Sequence, residues 1–372
     1  MEMKKRFVFV AHWVETWNWL LWWSKDLHQH PEHSRRWMLL WPVFFVVSLV
    51  YILGKRGYDI VDRFQFNGRL EGRIALIRSF GWQFFVNSFR NKIRQRILSA
   101  VLELQESTDV IGLGALAKAE WLTRGGKRVV EKLGDKLKVP VVHGDTLTAA
   151  TVIRRVLQFN LFPVFLTGAT SKIGRAVALD LASRGITVKM FTESEGRFNE
   201  IRDEAEESKR RFLVNSLSLD DGKDCPLWIT EKAIPAGEKL LKHIPEGAVV
   251  LNFSVPNPVR ERLFKKRPDI RFVEGGLLAF DPKRSTQSFN MRLWAGETYA
   301  CHAGTMVHAY MGWTHHEVGP VDMAKIWSVW DAAESLGFFL FPLPQEQEQK
   351  EKQISWLGAT LEKAKGFASF LS

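Results

Sequence analysis

Residues 164–185 read VFLTGATSKIGRAVALDLASRG, and the fold turns on them. The apolar run 164–166 predicts a strand, and Gly168 and Gly174 bracket a tight loop. Ile173, Val177 and Leu181 are spaced to share one face of a helix, which Gly185 ends. A second strand is expected at 186–191. Strand, glycine loop, helix and strand in that order make the first βαβ half of a dinucleotide-binding sheet. Small residues let the backbone approach a pyrophosphate, whose charge sits on the helix N-terminus. The candidate cofactor residues are Gly168, Ala169, Thr170, Ser171, Lys172, Ile173 and Gly174, with Ser171 standing where a middle glycine is usual. Thr192 follows the second strand and joins them. Beside it, Glu193 suits the ribose hydroxyls of NAD, whereas Lys189 and Arg197 suit the extra phosphate of NADP.

Around this core the 372-residue chain divides by pattern. Residues 1–60 form a membrane-associated region. Within it, residues 37–53 (WMLLWPVFFVVSLVYIL) carry no charge and lie between Arg35, Arg36 and Lys55, Arg56. That length is close to the lower limit for a spanning helix, and Pro42 with basic residues on both sides leaves an interfacial helix equally open. Trp13, Trp17, Trp19, Trp22 and Trp23 resemble a headgroup-level aromatic belt. Residues 61–159 read as a basic helix followed by a small α/β unit. The stretch 64–104 looks helical and suited to a bilayer surface, with Phe80, Trp82, Phe84, Phe85 and Phe89 among Arg90, Lys92, Arg94 and Arg96. A strand at 110–116 and another at 139–142 precede His143-Gly144-Asp145-Thr146, which opens a helix with Asp145 or Thr146 as its cap. The dinucleotide domain spans 160–276, a helical region 277–344, and an amphipathic tail helix 345–372.

The expected fold class is therefore α/β: a Rossmann-like NAD(P)-binding domain, a small α/β unit before it, a helical C-terminal part, and an N-terminal membrane-associated helix. The net charge of +11 suits anionic partners. Its scatter beside an apolar stretch favours a membrane, and no zinc-finger or RNA-binding signature points to nucleic acid. Two cysteines in unlike settings, Cys225 and Cys301, suit a reducing, cytosol-facing environment rather than a disulfide framework.

Several chemistries can be tested on spacing. Short-chain dehydrogenases pair a tyrosine with a lysine four residues on. Tyr299 and Tyr310 are instead followed at that distance by Ala303 and Thr314, and Tyr51 with Lys55 lies in the apolar segment. Di-iron membrane oxygenases need repeated histidine boxes. Here His28, His30 and His33, and His315 with His316, are two short groups that do not continue, so no metal site is expected. Cys301 in ETYACHAGTMVHAYMGW falls near the start of a helix, where the dipole favours the nucleophilic thiolate. His308, seven residues on, shares its helix face and is a candidate base or orienting residue. The plainer alternative is a small buried cysteine on a core helix. Cys225, in a loop leading to a strand, reads as structural.

From about residue 8 to 342 the chain resembles the C-terminal half of the plant eceriferum proteins, which make aldehydes and alkanes for cuticular wax. The matching stretches are RRWMLLWP, VIGLGAL, VVHGDTLTAATVI, LTGATSKIGRAVAL and MVHAYMGWTHHEVG. Members of that family also carry a long N-terminal membrane domain with histidine boxes. Less closely, residues 110–343 resemble cyanobacterial long-chain acyl-carrier-protein reductases, whose nucleophilic cysteine lies in a motif like YACHAGTM. That likeness places Cys301 on the nucleophile position, although Gly304 replaces an acidic residue near it. Together the resemblances imply NADPH-dependent reduction of a long-chain acyl thioester to a fatty aldehyde, at the endoplasmic reticulum membrane with the active site facing the cytosol. Membrane lipid, a membrane oxygenase or a second copy of the chain are the partners expected. The alternative is a non-catalytic Rossmann scaffold that partners an iron-dependent, alkane-forming membrane oxygenase.

Overall fold

A computed structural model describes residues 4–13, 57–231, 240–253 and 266–340, except positions 290, 292 and 294, together with positions 43, 46, 49–51, 53 and 54. The strand β1, Lys5–Trp13, is buried on both faces from Phe7 onward. Its run FVFVA is what a central parallel strand needs, because both sides face protein. It corrects the expectation that residues 1–60 are all membrane-associated. β2 (Tyr58–Phe66) and β3 (Leu70–Phe80) follow as a hairpin. Asn67 and Gly68 at its tip both have positive φ, as a type I′ turn demands.

Residues 64–80, expected to begin a basic helix, therefore lie in this hairpin. The alternation of charge and apolar bulk in DIVDRFQF and EGRIALIRSF is a period of two rather than of 3.6. The helix α1 starts only at Asn87 and runs to Leu104. Its Ile93, Ile97, Ala100, Val101 and Leu104 are buried against Val8, Val10, Ile77 and Ile111, so its apolar face is spent on the sheet. β4 (Val110–Leu113), the short helices α2 (Glu120–Thr123) and α3 (Lys127–Leu133), and β5 (Val141–Val142) complete the first unit. The five strands take the order β2-β3-β1-β4-β5.

The helix α4 (Asp145–Phe159) leads out of this sheet and is buried on nearly every side. Then come β6 (Val164–Thr167), α5 (Lys172–Ser183), β7 (Val188–Phe191), α6 (Glu195–Glu204), β8 (Leu213–Ser216), β9 (Leu227–Thr230), β10 (Val249–Asn252) and β11 (Arg271–Glu274). These six strands are all parallel, in the order β11-β10-β9-β6-β7-β8. Counted along the chain that is the 3-2-1-4-5-6 order of a dinucleotide-binding sheet, and its switch point lies between β6 and β9.

β12 (Leu277–Ala279) pairs antiparallel with β13 (Glu297–Tyr299), followed by α7 (Ala300–Tyr310) and α8 (Ile326–Leu336). Cys301 stands second in α7, near the helix start as expected. α7 packs on β1 and β4 with one side and on α4 with the other, while α4 also meets α5 and α8. The two sheets are joined through these helices.

Among the described residues no helix is long and apolar enough to cross a membrane. Most of the apolar stretch 37–53 and the tail 345–372 lie outside the described residues. The end of the former is held to the first sheet, because Tyr51 accepts from Trp13 Nε1 at 3.0 Å and donates to Asp59 at 2.6 Å.

Candidate functional site

The glycine loop sits at the C-terminal end of β6. Gly168 has a φ of +67°, and a Cβ there would collide with the carboxylate of Glu231, just beyond β9. Only glycine meets both conditions. Gly174 is crowded in turn by the backbone of Gly168 and Ala169, which presses α5 onto the loop. Ser171 has a clear task in this geometry. It is the N-cap of α5, and its Oγ accepts from the Gly174 amide at 3.0 Å. The serine that departs from the glycine pattern therefore serves the helix start. Ala169 is buried, whereas Thr170, Ser171 and Ile173 are half-buried on the loop. Thr192 lies at the end of β7, where its Oγ1 accepts from Ser194 N. Lys189 is held by the Asp224 carboxylate at 2.7 Å, and Arg197 lies on the exposed first turn of α6.

Lys172 turns away from the loop. Its ammonium meets Asp145 Oδ2 at 2.7 Å, and the other oxygen of that carboxylate takes Lys118 Nζ at 2.5 Å. Lys118 also donates to the His143 carbonyl at 2.8 Å. Burial alone would lower Lys118, but the Asp145 carboxylate, with a smaller contribution from Cys301, outweighs it and holds the ammonium above its usual range. Burial likewise works to raise Asp145, and the cations Lys118 and Lys172, with His143, hold it far below the usual carboxylate range. These residues come from separate places: Lys118 from the turn after β4, Asp145 from the first residue of α4 and Lys172 from the first of α5, with Cys301 nearby as the second of α7. Three helix N-termini meet here, and their dipoles favour negative charge.

Gly144, the cap of α4 in place of the expected Asp145 or Thr146, has a φ of +66° and lies flat against the Cys301 backbone. Behind it, His143 Nε2 donates to the Gly319 carbonyl at 3.1 Å. Its Nδ1 lies 2.9 Å from the Asp145 amide and 3.0 Å from Glu317 Oε1. Glu317 pairs by backbone with β5 and accepts from Thr146 Oγ1 at 2.8 Å.

Cys301 is partly exposed and Cys225 buried. Burial, then the neighbouring Asp224, pushes the Cys225 thiol up to about 12, as suits an inert packing residue. The structure does not bring His308 to Cys301. Seven residues along a helix is about 10 Å, and His308 Nε2 instead donates to the His315 carbonyl at 2.9 Å. Burial lowers His308 to about 4. His302 is enclosed by Phe7, Phe9 and Phe64 and lowered to about 3 by burial. Among the described residues there is no group of three or more His, Cys, Asp or Glu placed to hold a metal. Lys118, Glu317 and the charge role of Asp145 escape sequence reasoning. Their one signal is a charged residue shortly after a buried strand, at Lys118 after β4 and at Asp145 after β5.

The chain is similar to the very-long-chain aldehyde decarbonylase GL1-1 of Oryza sativa subsp. indica, 33% identical over 341 residues, which are 88% of this chain and 52% of that protein. GL1-2 of the same subspecies is 34% identical over 79% of this chain and 45% of its own length. Protein CER1-like 2 of Arabidopsis thaliana is 26% identical over 86% and 49%. The chain spans about half the length of the curated relatives it matches. A solved putative malic enzyme superposes with a TM-score of 0.31 at 16% identity, over 65% of this chain and 70% of that one, and no function follows from it. The relatives' names correct the expected reaction: they are aldehyde decarbonylases, not reductases that form an aldehyde from an acyl thioester. Residues 164–339 match the CER1-like, C-terminal domain, and the chain resembles the plant eceriferum proteins.

Proposed function

We propose that this chain is the dinucleotide-fold component of a very-long-chain aldehyde decarbonylase system and works beside an iron-bearing, alkane-forming membrane oxygenase. The observation that carries the reading is the 33% identity to such a decarbonylase across 88% of the chain. The charged junction supports it, because Lys172 of the glycine loop and Lys118 pair with Asp145 at the start of α4, where Gly144 packs on the Cys301 backbone. In this reading Gly168, Ala169, Thr170, Ser171, Ile173 and Gly174 hold the pyrophosphate of NADPH or NADH. A nicotinamide bound there supplies reducing equivalents. Lys172 serves as the link to Asp145, and Cys301 lies on the aldehyde side. Wax-type lipid metabolism at the endoplasmic reticulum membrane is the setting.

A chimera tests the proposal. The stretch of the rice GL1-1 relative that matches this chain is replaced by this chain, expressed in yeast, and fed a very-long-chain aldehyde. Alkane is expected from the chimera and not from the remaining GL1-1 portion alone. Equal alkane from that portion alone, or none from a chimera that accumulates normally, would overturn the reading.

A further inference from the structure

We propose that an apolar stripe at positions 43, 46, 50 and 53, together with an aromatic corner at Phe85 and Trp121, docks this chain on an anionic lipid bilayer. The inference goes beyond the decarbonylase reading and does not depend on it. Among the described residues twelve large hydrophobic side chains are exposed, and seven of them belong to this face. Scattered exposed apolar side chains are ordinary, whereas gathered ones mark an interaction surface. Positions 43, 46, 50 and 53 are helical, and their spacing of three, four and three puts Val43, Val46, Val50 and Leu53 on one side. They are 56–66% exposed.

The corner lies at the start of α1. Phe85 is 63% exposed, the exposed Val86 follows it, and its ring lies 5.7 Å from that of Trp121 on α2, which is exposed as well. Both parts are fixed to the same short stretch of the first unit. Phe80, which leads into the turn carrying Phe85, has its ring 5.5 Å from that of Tyr51. Arg96 of α1 donates to the Gly54 carbonyl at 2.7 Å. The end of the stripe therefore abuts the helix that begins at the corner.

Charge identifies the occupant. Arg90 lies 4.8 Å over the Trp121 ring. Arg94 donates to the Leu122 carbonyl at 3.1 Å and to that of Trp121 at 3.3 Å, and Arg128 donates to the Leu122 carbonyl at 3.3 Å. Three guanidiniums thus converge on one turn. Their other partners are the Phe84 and Phe85 carbonyls and the Asn91 side chain, so among the described residues none of the three meets a carboxylate. Neutral carbonyls hold the guanidiniums in place without cancelling their charge. Uncancelled positive charge beside exposed aromatic and aliphatic side chains matches a bilayer interface, where phosphates lie just above acyl chains. A nucleic acid would leave the aliphatic stripe in water. A symmetric contact with a second copy would set these arginines against their like.

The probe is sucrose-loaded vesicles of phosphatidylcholine with about one-third phosphatidylserine, against phosphatidylcholine alone, sedimented with the whole chain. The anionic vesicles should bind at least about tenfold more strongly, and about 1 M salt should remove that difference. Each arginine near an anionic surface is worth about fivefold in binding, so Arg90→Gln with Arg94→Gln and Arg128→Gln should lose about a hundredfold. Phe85→Ser with Val50→Ser should weaken binding about tenfold. Should the triple arginine variant fail to fold, the wild-type lipid and salt dependence still decides. No binding, equal binding to both vesicles, or unchanged binding in either variant would each overturn the proposal. So would a dimer in sedimentation equilibrium that Phe85→Ser with Val50→Ser turns into a monomer, because a second copy then covers the face. Vesicle binding without alkane from the chimera sinks the decarbonylase reading alone. Alkane from the chimera without vesicle binding sinks the docking alone.

Discussion

The glycine loop and the charged junction lie at opposite ends of Lys172 and are built in opposite ways. The loop is one contiguous segment whose hydrogen bonds close within seven residues, as with Ser171 and Gly174. The junction draws Lys118, Asp145, Lys172 and Cys301 from four separate segments, and its charges are buried. A local motif can be weakened one hydrogen bond at a time. A buried charge cluster stands or falls as a unit, because removing one partner leaves the others desolvated and unpaired.

That contrast can be broken most directly at Asp145. Replacing it by alanine leaves Lys118 and Lys172 facing each other without their carboxylate, and a loss of about 3–5 kcal/mol is expected in denaturant unfolding. A loss under about 1 kcal/mol would mean that solvent screens the junction and that it is no tighter than a surface pair.

Acid should act next. His302 and His308 are held at about 3 and about 4 by burial, against about 6.5 in the unfolded chain. Between those values the unfolded chain binds protons that the folded chain refuses. Stability is therefore full above about pH 6.5 and declines as pH falls toward 4, by about 1.4 kcal/mol per pH unit for each histidine. His315 and His316, lowered mainly by partial burial, act in the same direction. Asp145, depressed by its lysines, adds its loss only in more acidic solution. The urea midpoint measured from pH 7 to pH 5 checks this, and a flat profile would contradict it. His302→Phe should reduce the slope.

The smallest effect belongs to the loop. Ser171→Ala removes one capping bond and should cost about 1 kcal/mol, while Ser171→Gly costs a few tenths. If Ser171→Ala proves as damaging as Asp145→Ala, the loop and the junction form one cooperative unit and the comparison fails.

What could be read from the chain follows the same division. The turn at Gly168, the helix that Gly185 ends, and the strands on either side of them were legible because each is a local pattern of apolar spacing and turn residues. β8 was missed, since LVNS is short and half exposed. β1 was misjudged for a stronger reason. A run such as FVFVA beside a tryptophan-rich segment reads the same in a bilayer or at the centre of a parallel sheet, and only its neighbours β3 and β4 tell the two apart. His308 was placed beside Cys301 by helix face alone, and the two-turn rise separated them.

By itself the sequence determined that a dinucleotide-type βαβ unit begins at residue 164, where Gly168 would turn, and that Cys301 would open a helix. Each is decided within a few residues of chain. Only the tertiary structure decided that Lys172 leaves the phosphate loop for Asp145 and that Lys118 meets the same carboxylate. Those contacts join residues far apart in sequence, and a buried charge finds its partner through the packing of helices, which no local pattern encodes.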